Sequence, residues 1–241
     1  SDNYERRHRQ GYFGRSGHLT WSEDPSRQMI TWAVLPVKRY SVGKSRLRDL
    51  FSETELAELN QQLFESTFTK IQQSIRVDNI LVVSREEHAL AWSASHGGVA
   101  LLEDDPSTLN SAIIQAQKYI CRHGNGMVMV LPSDLPLMKT NDIDSLIGLA
   151  DGKRKLVIVP DHFQSGTNAL VMSEPNLIEP CFGTGSFRKH TRQALEKNAE
   201  LVVYLNENIQ WDLDTSLELY RIINTQSELT ILSQLRKETI S

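Results

Sequence analysis

The 241-residue sequence holds only two cysteines, Cys121 and Cys181, and they match no metal-ligand spacing. No disulfide framework can be built from them, and the pair suits a reducing compartment, so a cytoplasmic location is expected. No apolar run is long enough to span a membrane, and no secretory signal pattern is present. An excess of positive charge is also missing. The 26 Lys and Arg stand against 30 Asp and Glu, a net charge of -4, with a pI near 6.0. Nucleic-acid binding through bulk charge is thereby disfavoured, and any anion site must be a local basic cluster.

Two common phosphate motifs are absent as well. Gly43-Lys44-Ser45 imitates the end of a Walker A loop, but Lys38 stands where the first glycine is required. Gly183-Thr184-Gly185-Ser186-Phe187-Arg188 has two glycines of a dinucleotide fingerprint and ends in Arg188. No Ser, Cys or His sits in a recognisable nucleophile motif.

What is present is an ordinary globular composition, 39% hydrophobic and 23% charged, sufficient for one large α/β domain. Residues 1–28 are rich in Arg, His, Ser, Gly and Asp without periodicity, and are expected to be a flexible or vector-derived extension. Met29 is a natural start, and 29–241 is expected to form a single domain. Strands are expected over 30–37, 80–84, 99–102, 127–131, 156–160, 169–172 and 201–205. Ser52 and Glu55 make a capping box for a helix whose apolar face runs through Leu56, Leu59, Leu63, Phe64, Phe68, Ile71 and Ile75. Further helices are expected over 86–95, 108–122, 186–196 and 216–223. Strands alternating with helices imply a mostly parallel sheet with helices on both faces.

Ligands of such sheets bind beyond the carboxyl ends of the strands. A loop carrying Lys38, Arg39, Lys44 and Arg46 follows the first strand, which is the layout of a phosphate-binding turn or of a solvated basic loop. Ser84 ends the second strand. Asp134 follows another, stiffened by Pro132 and Pro136, and suits a metal ligand or a turn aspartate. Asp212 and Asp214 are two apart, so extended backbone points both to one face, which suits a metal pair or a helix cap. The glycine loop with Thr184, Ser186 and Arg188 offers hydroxyls, amides and a guanidinium to an anion, or caps its helix.

In order along the chain, Trp32-Ala33-Val34-Leu35-Pro36-Val37-Lys38, Gly43-Lys44-Ser45-Arg46-Leu47, Leu109-Asn110, Pro132-Ser133-Asp134-Leu135-Pro136, Gly166-Thr167-Asn168-Ala169-Leu170, Phe182-Gly183 with Ser186 and His190, and Asp212-Leu213-Asp214-Thr215 form a set. That set resembles the CofC/FbiD guanylyltransferases of coenzyme F420 biosynthesis, a branch of the glycosyltransferase-A-like nucleotidyltransferases. The chain departs from the family at 161–165, where a more glycine- and arginine-rich approach is usual, and at Ser216, where proline is common.

The resemblance implies transfer of GMP from GTP to a phosphorylated three-carbon acid, namely 2-phospho-L-lactate, phosphoenolpyruvate or 3-phospho-D-glycerate, releasing pyrophosphate. It implies Mg²⁺ held by Asp134, Asp212 and Asp214. Lys38, Lys44 and Arg46, with Asp134, would be catalytic. Leu35, Ser84 and Asn110, with Lys38 and Lys44, would bind the nucleotide, and Thr167, Gly183 and Ser186 the acceptor. The implied partners are GTP, the phospho-acid and a downstream transferase of the same pathway, with no nucleic acid and no membrane; a homodimer is compatible. Three other readings stay open: a P-loop-like kinase or NTPase using Gly43-Lys44-Ser45, a sugar-phosphate nucleotidyltransferase, and a GTP-binding regulatory module without turnover.

Overall fold

A computed structural model describes residues 29–224, apart from 106, 107 and 125. The expected extension over 1–28 lies outside the described residues. Among the described residues, seven strands form one sheet: β1 (Thr31–Val37), β2 (Asn79–Ser84), β3 (Val99–Leu102), β4 (Met127–Val130), β5 (Lys155–Pro160), β6 (Thr167–Met172) and β7 (Glu200–Val203). Their spatial order is β3-β2-β1-β4-β6-β5-β7. Within this sheet β6 alone runs against its neighbours, antiparallel to both β4 and β5. The near-continuous apolar runs of β1, β2 and β4 are what a strand covered on both faces requires.

The described α-helices are α1 (Glu53–Gln72), α2 (Glu87–Ser95), α3 (Leu109–Arg122), α4 (Thr140–Leu149), α5 (Ser186–Glu196), α6 (Glu207–Gln210) and α7 (Ser216–Asn224). One face is filled by Phe64, Phe68 and Ile71 of α1, Ile143 and Leu146 of α4, and Ile209 of α6. The other is filled by Ile113, Ala116 and Ile120 of α3 with Ala194 of α5. The two-faced architecture read from the sequence is therefore the observed one. The Ser52–Glu55 capping box is also present, with Glu55 N donating to Ser52 Oγ at 3.3 Å and Ser52 N to Glu55 Oε2 at 2.8 Å. Ile75 is different: α1 ends at Gln72, and Ile75 is 89% exposed beyond it, off the apolar stripe. The helix α4 was not expected from the sequence, because its polar start, Thr140-Asn141-Asp142, precedes a short apolar face of Ile143, Leu146 and Ile147.

A third apolar cluster lies beside the sheet. Leu47 and Phe51 from the basic loop, Leu56, Leu59 and Leu63 of α1, Leu213, and Leu219 and Ile222 of α7 pack together. This cluster ties the loop after β1 to the segment between α6 and α7, two parts of the chain that lie far apart in sequence.

The junction of β5 and β6 is irregular. Val159 pairs with Ala169, but Pro160 pairs with Thr167, so Asn168 is an extra residue in β6. Such a bulge breaks the strict alternation of side chains. Asn168 bonds to Ile209 O at 3.0 Å on the same face as Ala169, and Thr167 turns to the opposite face, toward α5. Because β6 is antiparallel to β4, its first residues lie at the edge where β1, β2 and β4 end.

The entry to β4 is held by Gly126, at φ 145, against which a Cβ would collide with the Ile30 carbonyl oxygen. That oxygen accepts a 2.9 Å bond from Met127 N, which aligns β4 with β1. Gly124 also has positive φ, at 125, but faces open space. Both Gly→Ala changes should cost about 1–3 kcal/mol of backbone strain. Gly126→Ala should cost clearly more, through the added collision. Urea denaturation of the two variants measures the difference, and equal losses would show that the collision is relieved without cost.

Candidate active site

The loop after β1 is folded against the domain by Tyr40, which is 8% exposed. Its N–H donates to Glu86 Oε2 at 3.0 Å and its carbonyl accepts from Asn60 Nδ2 at 2.9 Å. Burial, reinforced by Glu86 and Glu65, raises the pKa of the Tyr40 hydroxyl, so it remains protonated. Lys44 then turns inward with φ 47, a left-handed conformation that is uncommon for a residue with a side chain. Ser45 opens a three-residue 3-10 turn, Ser45–Leu47, and α1 begins only at Glu53. A P-loop needs its helix to start at the Gly-Lys-Ser itself, so the Walker-like reading does not describe this loop.

The Lys44 side chain is 3% exposed, and its ammonium lies 3.2 Å from Asp134 Oδ2 and 3.7 Å from Asp214 Oδ1. It also donates to the Leu213 carbonyl. Asp134, Asp212 and Asp214 each bring a carboxylate oxygen within 4.8 Å of the other two. The sequence-derived trio thus meets in space, although its members come from the loop after β4 and from the segment between α6 and α7. The two-residue spacing works as expected. Leu213 is fully buried in the lateral apolar cluster, and its neighbours Asp212 and Asp214 join Asp134 in the trio. Leu213 N donates to Asp134 O at 3.0 Å, which sets the two segments in register.

Crowding three carboxylates is electrostatically unfavourable, and the pKa shifts record it. Burial first, then Asp134 and Asp214, push Asp212 up from 3.8 to about 7. Burial and Asp134 also raise Asp214, while Lys44 pulls the other way. Three hard oxygen donors with an excess of negative charge over the one ammonium suit a divalent cation. Two residues outside the sequence-derived set support them. Asn168 Nδ2 lies 3.3 Å from Asp212 Oδ1, and Glu218 Oε2 accepts from Asp214 N at 2.8 Å and Thr215 N at 2.7 Å. Glu218 and Thr215 form the cap of α7, so Asp214 itself does not cap that helix. The signal for Asn168 was its place in Gly166-Thr167-Asn168, and the signal for Glu218 its capping-box spacing from Thr215.

The remaining site residues fall into two groups. Lys38 and Arg46 are exposed with no ion pair among the described residues, and Arg46 lowers the pKa of Asp214 electrostatically. Leu35 is fully buried in the core, below the site surface. Ser84 is also fully buried, its hydroxyl donating to Val37 O at 2.7 Å and accepting from Glu86 N at 2.8 Å, so it ties strand ends together. Asn110 spends its amide on the Phe182 backbone, accepting at 2.7 Å and donating at 3.2 Å, and so docks the start of α3 on the glycine loop. In that loop Gly183 and Gly185 have φ 107 and 70, and Gly185 caps α5 without any side chain, so neither Thr184 nor Ser186 is the cap. The amides of Ser186 and Phe187 already donate to Gly183 O and Ser165 O. Ser186 is fully buried, and its hydroxyl donates to Thr167 Oγ1 at 3.1 Å. No described helix is long and apolar enough to cross a membrane.

Solved structures share this architecture. A nucleotide-diphospho-sugar transferase structure from Desulfovibrio desulfuricans superimposes with a TM-score of 0.68, covering 87% of this chain and 95% of that one at 14% identity. A nucleotidyl transferase from Methanothermobacter superimposes at 0.53, covering 80% and 95% at 17% identity. At such identities the likeness establishes the fold, which is that of nucleotidyltransferases. Sequence relatives go further. A phosphoenolpyruvate guanylyltransferase from Sphaerobacter thermophilus is 32% identical over 79% of this chain and 91% of its own length. A 2-phospho-L-lactate guanylyltransferase from Methanothermobacter thermautotrophicus is 31% identical over 81% and 85%. The model of the family described as "Guanylyl transferase CofC like" matches residues 31–241, and the chain belongs to that family of nucleotidyltransferases.

Proposed function

We propose that this chain transfers GMP from GTP to the phosphate of a small three-carbon phospho-acid, releasing pyrophosphate. The observation that carries the reading is the half-buried trio of Asp134, Asp212 and Asp214 beside the buried Lys44 and a basic loop, in a sequence without a recognisable nucleophile motif. An acceptor phosphate oxygen is itself the nucleophile, so the protein's task is positioning and charge neutralisation. The trio would hold Mg²⁺, which supplies neutralisation of the phosphoryl oxygens. Lys38 and Arg46 reach the triphosphate from the exposed side, and Lys44 exchanges its carboxylate partners for phosphate oxygens. Leu35, Ser84 and Asn110 shape the nucleotide side, Leu35 and Ser84 by supporting the strand ends from within. Thr167, Gly183 and Ser186 shape the acceptor side. Phosphoenolpyruvate is the first acid to test, with 2-phospho-L-lactate and 3-phospho-D-glycerate beside it. In this reading 29–241 works as one domain in the cytoplasm, and the product enters coenzyme F420 synthesis through the downstream transferase.

The deciding experiment incubates the protein with GTP, Mg²⁺ and each acid, and reads pyrophosphate and product mass. Pyrophosphate should appear only when an acid is present, with a product heavier than the acid by a GMP unit. Orthophosphate as the product would point to an NTPase. GTP binding without turnover would point to a regulatory module.

Asp134→Asn keeps size and removes one charge from the trio. Activity should fall by about a hundredfold or more, on the scale of losing a transition-state charge contact. The melting temperature should change little, since the side chain is 27% exposed at the site rather than core. A variant that keeps most of its activity would remove Asp134 from the mechanism.

The raised pKa of Asp212 gives a second signature. The folded state holds this proton more tightly than the unfolded chain does, so the contribution to stability is complete below pH 3.8 and is lost as pH rises through about 7. Metal must displace that proton. The rise in melting temperature produced by Mg²⁺ should therefore grow as pH rises through about 7. Asp212→Asn should stabilise the metal-free protein above that pH while removing most of the activity. A Mg²⁺ effect independent of pH, or an active Asp212→Asn variant, would contradict this assignment.

A further inference from the structure

His190 lies in α5 outside the trio, has no exposed surface, and takes no part in holding metal or triphosphate. Its Nε2 faces the backbone N–H of Cys181 at 3.1 Å. A backbone amide can only donate, so Nε2 is the bare nitrogen and, in the neutral ring, the proton is on Nδ1. Nδ1 lies 3.0 Å from Thr167 Oγ1, and the bond therefore runs from the ring to the hydroxyl. Ser186 Oγ donates to the same oxygen at 3.1 Å. A hydroxyl has two lone pairs and one proton. Both lone pairs of Thr167 are thus filled, and its proton has no acceptor among the described residues.

We propose that His190 is a positioning residue for the acceptor, fixing the Thr167 hydroxyl so that its one free proton is the donor offered to an anionic oxygen of the phospho-acid. The opposite tautomer would accept from Thr167 and withdraw that donor into the protein. Burial, with Lys189 adding to it, lowers the pKa of His190 to about 4, so the ring stays neutral through the physiological range. Thr167 is 8% exposed, and the bonds its hydroxyl makes to His190 and Ser186 are buried. The bulge in β6 turns it toward α5, while its neighbour Asn168 holds Asp212 on the other side. The geometry revises the simpler expectation for Ser186, whose proton is committed to Thr167. Ser186 then serves the acid through Thr167 rather than by its own donor.

The inference rests on the guanylyltransferase reading, and the test separates the two. In the full-length protein, His190→Asn keeps an N–H near the Nδ1 position, whereas His190→Gln keeps an acceptor near Nε2 and loses the donor to Thr167. His190→Gln should raise the KM for the acid by roughly tenfold, the scale of one hydrogen bond to a charged group, with the KM for GTP unchanged. His190→Asn should lose far less. Thr167→Val should be at least as impaired as His190→Gln, and the double variant Thr167→Val/His190→Gln should be no worse than Thr167→Val alone. Nitrogen-15 shifts of His190 in the wild-type protein should show Nδ1 protonated and Nε2 bare. The opposite tautomer, additive losses in the double variant, equal shifts in both KM values, or a better Gln than Asn variant would overturn the inference and make His190 a prop for the Cys181 backbone. A wild-type protein that transfers GMP to none of the acids would overturn the functional reading, and this inference with it.

Discussion

The site depends on keeping three carboxylates close together when their charges push them apart. That repulsion is opposed by apolar packing at one remove. Leu213, between Asp212 and Asp214, is buried with Leu47 from the basic loop and with residues of α1 and α7. Burial of a leucine contributes about 1.5–3 kcal/mol, and here it fixes the backbone from which both carboxylates project. The same cluster fixes the other side of the charge balance, since Leu47 lies one short turn beyond Lys44 and holds its loop inward. Lys44 therefore reaches Asp134 and Asp214 because two leucines far apart in sequence share one apolar pocket.

The sheet supplies the second constraint. Three parallel strands, β2, β1 and β4, end at one edge, and the basic loop and Asp134 follow two of them. A strand running the opposite way delivers its amino end to the same edge, and β6 does so. The bulge at Asn168 lets successive residues serve opposite faces, Asn168 steadying Asp212 and Thr167 meeting α5. Without the extra residue, regular alternation would exchange these two faces. An irregularity of one residue thereby joins the side that holds charge to the side that holds hydroxyls.

Much of this was legible in the sequence, and the parts that were not have identifiable causes. Strand cores such as 30–37 and 127–131 read clearly because burial on both faces requires uninterrupted apolar runs. Asp134 was legible as a candidate because prolines flank it, and Asp212 with Asp214 because a two-residue spacing has a geometric meaning, while the resemblance to the family alone joined the three. Ile75 misled because a helical period says nothing about where the helix stops, and α4 escaped because its polar first turn hides a short apolar face. Asn110 and Ser84 were read as ligand-facing, yet both spend their side chains on backbone groups. A sequence can show that a polar residue sits at a strand or helix end; it cannot show whether a main-chain partner has already claimed it. Tyr40 escaped for the converse reason, since its bonds reach Glu86 and Asn60 in segments that no local pattern connects. Glu218 was missed although it stands at capping-box spacing from Thr215.

The two halves of the site differ in how they can tolerate change. Around the trio, charge matters more than exact direction, because attraction between a cation and phosphate oxygens falls slowly with distance. In the proposed reaction Lys44, Lys38 and Arg46 would therefore adjust as a triphosphate enters and pyrophosphate leaves. On the acceptor side the groups are hydroxyls, and a hydroxyl's value depends on which way its proton points. There the protein uses full burial and a backbone amide to settle the direction in advance, through Cys181, His190 and Thr167. Selection among phospho-acids that differ by the placement of one carboxylate needs such fixed direction, since unpaired buried polar groups are what reject a wrong ligand. The connection at 161–165, where the resemblance led us to expect a departure from the family pattern, leads into Thr167, and in the proposed reaction a small shift of backbone there would alter which acid is matched. In the proposed reaction, reaction type would thus be carried by the charged half, and acceptor preference by the half in which single hydrogen atoms are placed.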